Sequence, residues 1–133
     1  MLLILYSSLL SYMLFFTICI APVINTQLDR KNSSKLLRKI FPRNFIFGSL
    51  LSAVLILFSF LYENLLSKIL SSIIFIFYLL NLYYLMPKIN KEADFKKSQK
   101  KYSRNFKKLH LYSVLLYVIQ IILALTAIII IYQ

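Results

Sequence analysis

Four long uncharged apolar stretches leave this chain little choice of fold. They run from Leu2 to Ile24, Phe45 to Tyr62, Ile69 to Met86 and Leu109 to Tyr132. Each holds roughly 18–24 residues, about 27–36 Å as a helix, which matches a hydrocarbon core of about 30 Å. Membrane strands would be about 9–11 residues long with alternating polarity, and no such alternation is visible. A helix satisfies its own backbone in lipid. The expected fold is therefore all-α, a single integral membrane four-helix bundle over residues 1–133. Composition agrees, with 60% hydrophobic and 15% charged residues. Soluble domains run at about 45–50% apolar and about 25% charged, and so small a domain has too much surface to hide the excess. A single Cys excludes a disulfide scaffold.

The charge distribution predicts topology. The net charge of +12 resides in two places. Between Pro22 and Asn44 there are six basic residues and one acid, and between Pro87 and Lys108 nine basic residues and two acids. The link from Glu63 to Lys68 is neutral overall. We read residues 25–44 and 87–108 as basic loops held in the cytoplasm by the positive-inside rule. Both termini then lie on the non-cytoplasmic side, as in a multi-pass protein of a bacterial inner (plasma) membrane. The first apolar run is too long for a signal core, and no Lys or Arg precedes Arg30, so it reads as a retained helix.

Within the first loop, Asn32 or Ser33 can cap a short helix. Leu36, Leu37, Ile40 and Phe41 would share one face, Lys35, Arg38 and Lys39 the other, and Pro42 would end the run. This is either an interfacial helix contacting anionic headgroups through Lys35, Arg38 and Lys39, or a loop kept inside by its charges. In the second loop, Tyr102, Phe106, Leu109 and Ser113 keep helical spacing. The fourth helix should thus begin near Ser98, with Lys100, Lys101, Lys107 and Lys108 on its extension. Residues Lys88 to Phe95 should continue the third helix past Pro87. No nucleic-acid-reading element accompanies these charges, so no nucleic-acid partner is expected. The expected partners are the bilayer and other membrane subunits or a second copy.

Polar residues in lipid usually face a bundle interior. On the fourth helix, His110, Ser113, Tyr117, Gln120, Ala124 and Ala127 form one stripe. The third helix offers Asn81, Tyr84 and Lys88, the second Ser49, Ser52, Ala53 and Ser59, and the first Ser8, Ser11, Phe15, Cys19 and Pro22. These stripes read either as packing seams or as a polar pocket built from Asn81, Lys88, His110, Ser113 and Gln120. One His, one Cys, three Met and four acids, all scattered, do not make a metal site. The one Gly excludes a Gly-rich phosphate loop. No cofactor and no enzymatic activity are expected.

The strings LFFTICIAPVI (Leu14–Ile24), LRKIFPRNF (Leu37–Phe45), NLYYLMPKIN (Asn81–Asn90) and FKKLHLYSV (Phe106–Val114), with Asp94 between the last two, carry a resemblance. Together they resemble the transmembrane protein 205-like family, domain of unknown function 4149, over roughly Leu14 to Gln120. The matching positions are Ala21, Pro22, Phe41, Pro42, Asn81, Pro87, Ile89, Asp94, Phe106, Leu109, His110 and Ser113. Ala93 and Leu111 depart from the family's usual basic and small residues. The resemblance implies a four-helix membrane protein and supplies no activity. Because most matching positions fall at one end of the helices, Asp94, His110, Asn81 and a base such as Arg43 are expected to cluster there and lock the two hairpins together. The function expected is that of a non-enzymatic accessory or assembly subunit of a membrane complex, the alternative being a small oligomeric transporter or channel.

Overall fold

The structure is a computed structural model that describes residues 1–95 and 104–133. Backbone polar groups in lipid must pair within their own segment, and among the described residues every regular element is helical. Four helical spans are long and apolar enough to cross a membrane: Leu2–Ile24, Asn32–Leu61, Leu65–Asp94 and Arg104–Tyr132. The first comprises α1 (Leu2–Phe15), a wide π-helical turn (Phe16–Ile20) and the start of α2 (Ala21–Gln27). The second lies within α3 (Arg30–Leu61). The third comprises α4 (Leu65–Leu80), a second π-helical turn (Asn81–Leu85) and α5 (Met86–Phe95), and the fourth is α6 (Arg104–Tyr132).

The helices start and stop for local reasons. The extended backbone of Asp29 lets its carboxylate accept from the Asn32 N–H at 3.4 Å, capping α3. Asn64 caps α4 by accepting from the Ser67 N–H at 2.8 Å. Between α3 and α4 the reversal takes three residues, and Glu63 sits at φ 51°.

Two boundaries differ from those expected. First, α3 begins at Arg30 and runs through Pro42, so residues 30–44 are neither a loop nor a separate interfacial helix. Pro42 removes one backbone donor, but Ile40, Phe41 and Phe45 pack against the core on either side of it and keep the helix continuous. The apolar face of the expected interfacial helix therefore turns largely to the bundle. Second, α4 starts at Leu65 rather than Ile69, and the third span continues past Pro87 to Phe95, as the sequence predicts. The start of the fourth helix near Ser98, with Lys100, Lys101 and Tyr102, lies outside the described residues; the described part begins at Arg104.

The two π-helical turns share one cause. Ala21 donates to Phe16 O, and Met86 donates to Asn81 O, each reaching back five residues instead of four. In both cases the next residue is proline, Pro22 or Pro87. A proline ring in a helix collides with the carbonyl four residues earlier, here that of Ile18 or Tyr83. Widening the preceding turn relieves the collision without breaking the span.

The four spans form a ring in which α1 packs on α3 and α6, and α4 packs on α3 and α6. Without a hydrophobic force between helices in lipid, close packing and interhelical hydrogen bonds hold such a bundle. At one end Ser67 is the hub. Tyr6 donates to its backbone oxygen at 3.1 Å and shares a hydrogen bond with its hydroxyl, while Ser59 shares a second at 2.6 Å. Leu9, Met13, Leu55, Ile74 and Ala124 fill the middle. Phe16, Phe41, Phe45, Tyr78 and Tyr117 form an aromatic layer nearer the basic end.

Candidate functional site

From Ser113 onward the stripe on α6 faces inward as its spacing predicts, with Ser113, Tyr117, Gln120, Ala124 and Ala127 buried, whereas His110 at its start is exposed. Gln120 is 0% exposed and donates to Ile74 O on α4 at 2.8 Å. Ser113 hydrogen-bonds the side-chain oxygen of Asn81, which is buried in the second π-helical turn. These residues staple α6 to the third span. Ser49, Ser52 and Ser59 on α3 are buried likewise.

Other expected members of the cluster lie elsewhere. Lys88 is exposed, with its Nζ 3.7 Å from the centroid of the Tyr84 ring on its own span, so it does not join Asn81 and Ser113. Asp94 pairs with Arg38 at 2.9 Å, not with Arg43, and this ion pair ties α3 to α5. It links the two hairpins as expected, but through a different base. Arg38 is thereby engaged with Asp94 rather than turned outward with the exposed Lys35 and Lys39. On the first span, Ser8, Ser11, Phe15, Cys19 and Pro22 are all exposed, the reverse of the expected seam. The larger Leu2, Tyr6, Leu9, Met13 and Phe16 take the buried face.

At the basic end all four spans enclose a cavity of about 230 Å³. Phe16, Thr17 and Ala21 line it from the first span, and Arg38, Phe41, Asn44 and Phe45 from α3. Met86, Ile89 and Ala93 contribute from α5, and Phe106, His110, Ser113 and Tyr117 from α6. The first π-helical turn gives Phe16 and Thr17 to its wall, and the second ends one residue before the wall residue Met86. Phe16 meets Phe41 edge-on at 5.7 Å and Tyr117 at 6.3 Å, Phe45 meets Tyr117 at 6.4 Å, and His110 stacks on Phe106 at 6.1 Å. The family-like positions Ala21, Phe41, Phe106 and His110 thus meet at one cavity. Pro22 and Pro87 stand one residue beyond its wall residues Ala21 and Met86, Leu109 is half-buried beside His110, and Pro42 is half-buried beside Phe41.

Asn44 was hidden in the sequence because it closes what reads as a loop. Once the helix is allowed to run through Pro42, Phe41, Asn44, Phe45, Gly48, Ser52, Leu55 and Ser59 follow steps of three and four on one face. The Asn44 side-chain oxygen accepts from Tyr12, and its amide faces the hydroxyl of Tyr117. The hydroxyl of Tyr117 in turn faces that of Tyr78. No group of three or more His, Cys, Asp or Glu side chains gathers among the described residues.

The model of a family described as a domain of unknown function, DUF4149, matches residues 4–98. No curated protein and no solved structure gives a significant match. The matched stretch includes the Ala21-Pro22, Phe41-Pro42 and Pro87–Ile89 strings, Asn81 and Asp94, and stops short of Phe106–Val114.

Proposed function

The chain belongs to the DUF4149 family, and from that premise we propose that it is a non-enzymatic accessory or assembly subunit of a membrane complex. The observation that carries this reading is the outer face of the first span. Ser8, Ser11, Cys19 and Pro22 are exposed there in a stretch apolar enough to lie in lipid. Small and polar residues let helices approach closely and are characteristic of helix–helix contacts in membranes. The two basic segments, Arg30 to Arg43 and Lys88 to Lys108, support a position in a bacterial inner membrane with both termini outside. The exposed Lys35 and Lys39 support contact with anionic headgroups. The Phe106–Val114 string supports placing the chain with the transmembrane protein 205-like group within its family.

The transporter alternative drew on the polar stripe. The bonds from Gln120 to Ile74 O and from Ser113 to Asn81 favour packing over a conducting path. Purification from native membranes in mild detergent tests the proposal. We expect a stoichiometric partner that is lost when Ser8 and Ser11 are both replaced by Phe, with the monomer still folded. Recovery of a lone monomer from the unaltered chain would overturn the reading.

A further inference from the structure

We infer that the cavity at the basic end holds one acyl chain of an anionic phospholipid, with its phosphate beside Lys107 and its chain running between the first and fourth spans. The inference deepens the accessory-subunit reading above, with its contact to anionic headgroups, and rests on it for the membrane setting.

The wall suits hydrocarbon, because its inner polar side chains are turned to one another. The Asn44 side-chain oxygen accepts from Tyr12, its amide faces the Tyr117 hydroxyl, and that hydroxyl faces Tyr78. Ser113 donates to Asn81, and Thr17 donates to Met13 O at 2.8 Å. Around them lie Phe16, Phe41, Phe45, Met86, Val118 and Ile121. A water needs about two to four polar partners, and an apolar cavity of about 150 Å³ stays dry and takes up a hydrocarbon guest. The cavity here measures about 230 Å³. Left empty, its walls would forgo the dispersion contacts of a packed interior.

The shape suits a chain. On α6 the lining runs from Phe106 to Ile121, a length of about 22 Å along the helix axis. So modest a volume over that length is a narrow channel. Its polarity is graded as a phospholipid's is. Ser34, Arg38 and Asn90 line the end toward the basic residues, and Val114, Val118 and Ile121 the end toward the middle of the bundle.

Access is lateral. The lining residues Thr17, Val114 and Val118 are exposed on the first and fourth spans. Here α1 packs on α6, whereas α2 beyond the wide turn packs on α3. The two spans therefore part beyond Phe16, and the cavity opens sideways to the acyl chains. Lys107, Leu111, Val114 and Val118 follow steps of four, three and four, so they form one exposed stripe along this opening. Lys107 stands about 10 Å from Val114 along the axis, toward the basic end. A chain lying along the stripe brings its phosphate to the Lys107 ammonium, a charge-assisted contact.

The test uses the full chain, delipidated in mild detergent and titrated with dioleoylphosphatidylglycerol or dioleoylphosphatidylcholine. Bound lipids are counted by native mass spectrometry. We expect one phosphatidylglycerol per chain held roughly tenfold more tightly than any further lipid, and phosphatidylcholine held more weakly. Val118→Trp fills the opening from a lipid-facing position, so it should fold as the parent does and weaken the first site roughly tenfold. Ile119→Trp adds the same bulk at an exposed residue outside the cavity lining and should bind as the parent does. Lys107→Gln should weaken phosphatidylglycerol several-fold and leave phosphatidylcholine unchanged. A run of equally weak lipid adducts would overturn the site. Equal affinity for the two lipids would overturn the anionic head, and a preference kept in Lys107→Gln its contact with Lys107. An unchanged first site in Val118→Trp, or an equal loss in Ile119→Trp, would overturn the assignment to this cavity. A lipid-free dimer that Val118→Trp dissolves would give the opening to a second copy and overturn the lipid. Partner recovery from native membranes is read separately, so loss of the lipid proposal and loss of the subunit proposal are distinguishable.

Discussion

Gly48 is the one glycine in the chain, and its role is steric. A Cβ at this position would run into the ring and hydroxyl of Tyr78. Tyr78 is 0% exposed and packs against Phe45 and Tyr117, so it has nowhere to retreat. Gly48→Ala should therefore destabilise the bundle by about 1–3 kcal/mol, the usual range for overpacking a full interior. Reversible unfolding in mixed micelles measures this. The double variant Gly48→Ala, Tyr78→Leu should be less unstable than the two single losses summed, because both act on one contact. This contact could not be read from the sequence. Helical spacing shows that Gly48 shares a face with Ser52 and Leu55, but not which residue of another span meets it. Gln120, Asn81 and Ser113 were legible for the opposite reason: a polar side chain in an apolar helix has few places to go except inward.

The wide turns before Pro22 and Pro87 set the register of α2 and α5. Each inserts one residue into the helical count, which rotates everything beyond it by about 100° relative to an unbroken α-helix. Ile89, 8% exposed, lies just past the second turn and lines the cavity. In a Cys19→Ser background, Ile89→Cys should react slowly with a maleimide probe. Adding Pro87→Ala should let the turn tighten, swing position 89 outward and raise the labelling rate several-fold. An unchanged rate would mean that packing, not the proline, holds the turn open. The existence of the spans was plain from hydropathy, because twenty apolar residues in a row have one cheap solvent. Their ends were not, since Lys35, Arg38, Lys88 and Asp94 look like loop residues by charge. They lie within helices that extend beyond the apolar stretches.

At the scale of the whole molecule, the described basic residues other than Lys68 gather at one end, and the Tyr6–Ser59–Ser67 network lies towards the other. The positive-inside rule then predicts an orientation that reporter fusions can read. A phosphatase fused after Gln133 should be active and a fluorescent protein at the same place dark. Neutralising Lys35, Arg38, Lys39 and Arg43 alone should leave this pattern intact, because the Lys88–Lys108 segment retains most of the charge. The bundle's ring order was not legible, because four apolar helices of similar length pack in more than one cyclic arrangement. The cavity was not legible either, since it depends on that order and on where the first and fourth spans part.

The one-residue surplus in each proline-bearing span also bears on how relatives should be aligned. A relative that carries an unbroken α-helix in place of Asn81–Leu85 can keep the equivalents of Ile89 and Asp94 facing the same neighbours only by being one residue shorter there. The same arithmetic applies between Phe16 and Ala21. A single-position gap at either place, coinciding with loss of the following proline, is then the imprint of a straightened helix with its inward face conserved. Forcing such sequences into gapless register would displace every residue of the basic end by one and scramble the correspondence of the cavity walls.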